Sequence, residues 1–202
     1  GAVYFVGNFS SVYNVPGNPL ANTKAIAKWT GTTWQSVGQG VNSGSIAAIA
    51  VKGENQVFVG GSQPVLKYSN ITIDVDHIGY WNGSAWSTVG SGLDGEVRAL
   101  AYNAATDTVY AAGFFNQSYG YQNFSSKTLN GIGKWSPSTG WQALGNGIDT
   151  VKNIVVSDDG KTVFASGIGS GAYAKGSTYN YISGTEEIAY YTQAKGWQGL
   201  GR

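Results

Sequence analysis

The chain has 202 residues, of which 12 are basic and 11 acidic, for a formal net charge of +1. So even a balance leaves no basic stripe to displace counterions from a nucleic acid, which excludes that partner class. Cysteine and methionine are absent, so disulfides, thiol nucleophiles and thiolate metal sites are excluded as well.

Glycine is abundant (31) and proline scarce (4), and aromatic and β-branched residues are punctuated by glycine throughout. That profile reads as all-β. No run of 18 apolar residues occurs, so no membrane span is expected in this segment. The chain opens directly on a strand-like stretch without an initiator methionine or a secretory leader, which reads as a mature fragment or a piece of something longer.

In chain order, a predicted strand at 3–6 closes on Gly7, and a long connection follows over 8–25. A strand at 26–29 ends on Trp29, a tight turn spans 30–33, and a further strand runs from Trp34 to Gly38. The next module adds a small-apolar strand in front, at 46–51. It then repeats the pattern: 57–61 ending on Gly60-Gly61, a connection over 62–77, a strand 78–81 ending on Trp81, and one from Trp86 to Gly90. The third module reads 97–102, 109–113, a connection over 114–131, 132–135 and 141–145. The fourth reads 151–156, a hairpin turn at Asp158-Asp159-Gly160-Lys161, 163–167, a connection over 168–187, 188–191 and 197–201.

All seven tryptophans belong to this lattice, as the pairs Trp29/Trp34, Trp81/Trp86 and Trp135/Trp141 and, with tyrosine in the first slot, Tyr191/Trp197. A period between 50 and 60 residues is the mark of propeller blades or solenoid turns. The expected fold is therefore a β-propeller of four four-stranded blades, at about 1–40, 41–92, 93–147 and 148–202, forming a single domain. The first blade lacks its inner strand, so the whole is part of a larger propeller or assembly. Small side chains in the first strand of each module suit the crowded axis of such a fold. The tryptophans read as packing between adjacent sheets, because periodicity accounts for all of them.

The order of a small-apolar strand, Val-Tyr-x-x-Gly, a long excursion, Ile-x-x-Trp and Trp-x-x-Val/Leu-Gly resembles the kelch-type blade. Only Gly60-Gly61 has the full double glycine of that repeat; Asn8, Phe114 and Ile168 stand there in the other copies. The phrases at 4–10, 26–29 and 90–97 are similar to the extracellular repeats of fungal cortical polarity-marker (bud-site-selection) proteins. That resemblance implies a large glycosylated cell-surface protein whose propeller carries no enzymatic site. Copper-radical oxidases built on kelch-like propellers need cysteine and two histidines, which this chain lacks.

The four long connections hold the candidate binding residues: Tyr13, Tyr68, Tyr119, Tyr121, Tyr179 and Tyr181, set among Asn, Ser and Gly. Rigid aromatic area beside adaptable polar groups is the composition of binding loops. Five N-x-Ser/Thr sequons, at Asn8, Asn70, Asn82, Asn116 and Asn123, point to N-glycosylation in an extracellular or cell-surface setting. No catalytic or metal site and no cofactor is expected. His77 is the single histidine, and Asp74, Asp76 and His77 form the only dense polar cluster. The expected function is a non-catalytic structural or adhesion module that contacts protein partners, or itself as a filament subunit, through long loops or an open blade edge. The alternatives are a carbohydrate-binding, lectin-like propeller that takes a glycan on the loop tyrosines, and a glycoside hydrolase-like propeller.

Overall fold

The computed structural model describes residues 1–120, 122–174 and 180–200. Among them there is no helix, and every strand pairing is antiparallel. The first module comprises β1 (Val3–Val6), a ribbon of β2 (Tyr13–Val15) and β3 (Asn18–Pro19), then β4 (Ile26–Trp29) and β5 (Trp34–Ser36), with sheet order β1-β4-β5. The second comprises β6 (Val41–Gly53), β7 (Gln56–Tyr68), β8 (Ile71–Asp74), β9 (Ile78–Trp81) and β10 (Trp86–Thr88), in order β6-β7-β9-β10 with β8 also on β7. The third is β11 (Glu96–Asn103), β12 (Thr108–Phe114), a ribbon of β13 (Gln117–Ser118) and β14 (Lys127–Thr128), β15 (Ile132–Ser136) and β16 (Gly140–Ala143), ordered β11-β12-β15-β16. The fourth is β17 (Asn153–Val156), β18 (Thr162–Ile168), β19 (Glu187–Thr192) and β20 (Gly196–Gly199), paired consecutively.

One register recurs in all four sheets. Val3, Val57, Val109 and Val163 lie opposite Trp29, Trp81, Trp135 and Tyr191. Those aromatics in turn lie opposite Trp34, Trp86, Trp141 and Trp197. The tryptophan pairs of the sequence are thus cross-strand neighbours, the unit by which sheets stabilise themselves. Tyrosine fills the slot in the fourth sheet with the same geometry, its ring centroid 5.4 Å from that of Trp197.

Strand alternation sends successive side chains of each sheet to opposite sides, one toward the preceding module and one toward the following. Three apolar clusters fill the three joints so made. Tyr4 and Ile26 meet Val57, Val59 and Trp86 in the first joint. Phe58 and Ile78 meet Val109, Ala111 and Trp141 in the second. Tyr110 and Ile132 meet Val163, Ala165 and Trp197 in the third. A fully buried side chain of this size contributes roughly 1.5–3 kcal/mol, so these joints are where the fold gains its stability. The first and fourth sheets share no such cluster among the described residues.

The strand-terminal glycines answer to close backbone approach. A Cβ on Gly61 would collide with the carbonyl of Ser45, and one on Gly113 with the carbonyl of Glu96, both on the neighbouring inner strand. Gly7, whose sheet has no inner strand among the described residues, meets nothing within 4 Å.

The connections are more ordered than strand periodicity announces. Instead of ending at Gly61, β7 continues to Tyr68 and folds back as β8, so much of 62–77 is a hairpin. Connections 8–25 and 114–131 each contain a short ribbon. These pairings involve two or three residues of mixed polarity, too few to display a period of two.

Candidate functional site

The long connections lean on the segments that link one module to the next. Val41 N–H donates to Lys24 O, Leu93 N–H to Asp76 O and Ile148 N–H to Asn130 O, at 2.8–3.1 Å. Linker carboxylates then secure the following connection. Asp94 accepts the backbone N–H groups of Asn116 and Gln117 at 2.8 and 3.0 Å, and Asp149 accepts that of Ser170 at 3.0 Å. The excursions are thus a braced layer.

The four described candidate tyrosines are distributed over that layer, one to a module. Tyr13 on β2, Tyr119 and Tyr181 are exposed, whereas Tyr68 is half-buried against the first joint. Tyr181 stacks on Tyr173 at 5.1 Å. Burial, then the Tyr181 hydroxyl beside it, pushes the Tyr173 phenol up to about 12. Tyr121 and Tyr179 lie outside the described residues. All five sequon asparagines are exposed. The Asn82 side-chain carbonyl closes its own turn by accepting Ser84 N–H and Ala85 N–H, both at 2.9 Å.

The polar cluster at 74–77 is held by local hydrogen bonds. Asp74 accepts the backbone N–H of Asp76 at 3.0 Å, and Gln63 N–H donates to His77 Nδ1 at 3.2 Å. Burial, and after it the Asp74 carboxylate, holds Asp76 above the usual carboxylate range. No group of three or more His, Cys, Asp or Glu residues among those described could hold a metal. No helix of the described chain is long and apolar enough to cross a membrane.

The surfaces that stand out lie at the two ends of the stack. On the backward side of the first sheet Val3 is 51% exposed and Phe5 45%, whereas their counterparts Val57, Val59, Val109, Ala111, Val163 and Ala165 are all within 2% of zero. Trp34 is half-buried, while Trp86, Trp141 and Trp197 are buried. On the forward side of the fourth sheet Phe164 and Ile188 are exposed, although Phe58, Tyr110, Ile78 and Ile132 at the same positions are buried. Val155 is the most exposed of these, at 63%.

Tryptophans give the second and third joints their polar registration. Trp141 Nε1–H donates to Val89 O at 3.1 Å, and Trp197 Nε1–H donates to Leu144 O at 2.8 Å, each reaching the carbonyl at the end of the preceding module's last strand. The corresponding pair at the ends would be the Trp34 indole and the Leu200 carbonyl, and Leu200 is 49% exposed. Trp34 is meanwhile clasped by Asn14, whose side chain accepts its N–H at 2.7 Å and donates to its carbonyl at 3.1 Å. The tryptophan lattice marked these positions in the sequence. Which copies lack a neighbour appears only when the sheets are stacked.

No family model matches the chain, and no curated protein matches it. Among solved structures it is similar to the crystal structure of an ancestral GH74 enzyme, with 19% identity and a TM-score of 0.49. The alignment covers 99% of this chain and 25% of that one, so the chain spans a quarter of that protein's length.

Proposed function

We propose that the chain is a non-catalytic structural and adhesion module of an extracellular or cell-surface glycoprotein. Its four sheets are the blades of a kelch-like propeller or larger assembly, and its end faces take neighbouring copies of the chain head to tail. The observation that carries this reading is the matched pair of end faces. Each exposes the apolar positions that the three internal joints bury, one face presenting the backward set and the other the forward set. A heterologous contact of this kind propagates as a filament or closes as a ring. Four of the five exposed sequons lie on the excursions and Asn82 lies in the β9–β10 turn, which supports glycosylation there and leaves the end faces as the protein-binding surface.

Sedimentation velocity tests the reading through polarity. Phe5→Lys spoils the backward face and Phe164→Lys the forward face, so each variant alone is expected to be a monomer. Mixed, they retain one intact face of each kind and should form a dimer and nothing larger. A parent chain that stays monomeric at high concentration overturns the proposal.

A further inference from the structure

The three joints differ in one respect that repeat symmetry does not explain. In the first, the Lys28 ammonium donates to Asn55 Oδ1 of the next module's hairpin turn at 2.6 Å. The adjoining Tyr4 hydroxyl donates to Glu54 O at 2.5 Å. In the second, Lys52 pairs with Asp107 at 2.6 Å, and Tyr102 OH donates to the same carboxylate at 2.8 Å. Asn55 and Asp107 occupy one repeat position, two residues before Val57 and Val109. In both of these joints a lysine of one module is answered by an acceptor on the turn of the next.

In the third joint that position, two residues before Val163, is Lys161. Tyr110 repeats the role of Tyr4, its hydroxyl 3.4 Å from Gly160 O, and Lys134 takes the place of Lys28. The acceptor has become a second cation. Among the described residues the Lys134 ammonium makes no hydrogen bond or ion pair, and Lys161 reaches only the exposed Asp159, at 3.7 Å. Where the first joint is bridged, this one opens into a cavity of about 580 Å³. Lys134, Lys161 and Lys195 all line it. Like charges facing one cavity repel, and an anion between them would restore what the other joints build from side chains.

The remaining walls limit what carries that anion. Leu144, Val163 and Tyr191 are apolar surfaces, and Thr192 and Gln193 add polar groups at the same cavity. A volume of this size is within the range of small-ligand pockets, roughly 300–1,000 Å³. Apolar walls suit the C–H face of a sugar ring, and the polar side chains suit its hydroxyls. We infer that the cleft between the third and fourth modules is a binding site for an acidic saccharide, its carboxylate or sulfate group held between Lys134 and Lys161. Binding there does not require the chain to assemble.

Titration calorimetry on the 202-residue chain, with lysine side-chain NMR as a second readout, tests it. The probes are a hexuronate tetrasaccharide, a sulfated hexose tetrasaccharide, the neutral hexose tetrasaccharide and inorganic sulfate alone. One or both anionic sugars should bind, weakening with salt, and should shift the Lys134 signals; which of them binds identifies the charged group. Lys161→Asn installs the acceptor that the first joint already uses. It should weaken binding by about tenfold or more, as loss of one charge-assisted contact implies, and should leave thermal stability equal or higher. The assignment is overturned if neither anionic sugar binds at millimolar concentration, if the neutral sugar or inorganic sulfate binds as tightly, or if Lys161→Asn leaves affinity unchanged.

Discussion

Replacing the second tryptophan of a module by phenylalanine should cost different amounts at Trp141 and at Trp86, and the difference can be worked from the structure. Both rings are almost fully buried, at 4% and 2% exposure, so the transfer and cavity contributions of the substitution nearly cancel between the two sites. The indole N–H groups differ. That of Trp141 donates to Val89 O, whereas that of Trp86 is buried without a partner. Trp141→Phe gives up a hydrogen bond worth about 1 kcal/mol, and Trp86→Phe removes an unpaired buried donor that costs about 1–3 kcal/mol. Trp86→Phe should therefore be the milder change by about 2–4 kcal/mol. In urea unfolding, at a slope near 2 kcal/mol/M, that is roughly 1–2 M in midpoint. Trp197→Phe serves as the internal replicate, since its indole bonds Leu144 O, and should follow Trp141→Phe. If Trp86→Phe proves as damaging as the other two, the view that the indole N–H registers consecutive modules is wrong.

Gly61→Ala and Gly113→Ala should each destabilise by about 1–3 kcal/mol through overpacking, because the added methyl meets the Ser45 or Glu96 carbonyl. Gly53→Ala, whose Cβ would be 3.8 Å from the Gln56 side chain, should stay within about 0.5 kcal/mol in the same unfolding assay. The hydrogen bond from Lys52, then that from Tyr102, holds the Asp107 carboxyl below its usual range. A depressed native pKa means that the unfolded chain takes up this proton first as pH falls. The contribution is therefore complete above about pH 4 and declines as pH drops toward the native value. Asp107 is half-exposed, so Asp107→Asn should cost under about 1 kcal/mol near neutrality. The gap from the parent should close in acid; a gap that widens there would refute the assignment.

Much of the architecture is legible in the chain because each module uses the same residues for the same local task. The Trp29/Trp34 pair and its copies announce cross-strand partners, and the glycines at 61 and 113 announce close approach. Less legible are β8 and the ribbons in the excursions, whose few residues form strands only because the neighbouring β7 or a linker stands beside them. The loop tyrosines attracted notice by composition, yet Tyr13, Tyr68, Tyr119 and Tyr181 belong to four separate modules and form no single constellation. Lys161 attracted none, since a lysine in a turn reads as a solvated residue until Lys134 is found lining the same cavity.

The amino-acid sequence by itself determined the repeat, the all-β class, the order of strands within a module and the absence of thiol chemistry. These follow from periodicity and residue type, which are local properties of the chain. Tertiary structure alone decided which copies of a repeated position are covered and which stand open. Val3 and Val57 are the same residue in the same local setting, yet one is half-exposed and the other buried. The difference lies wholly in whether another sheet packs against that face, and such a contact is made between modules.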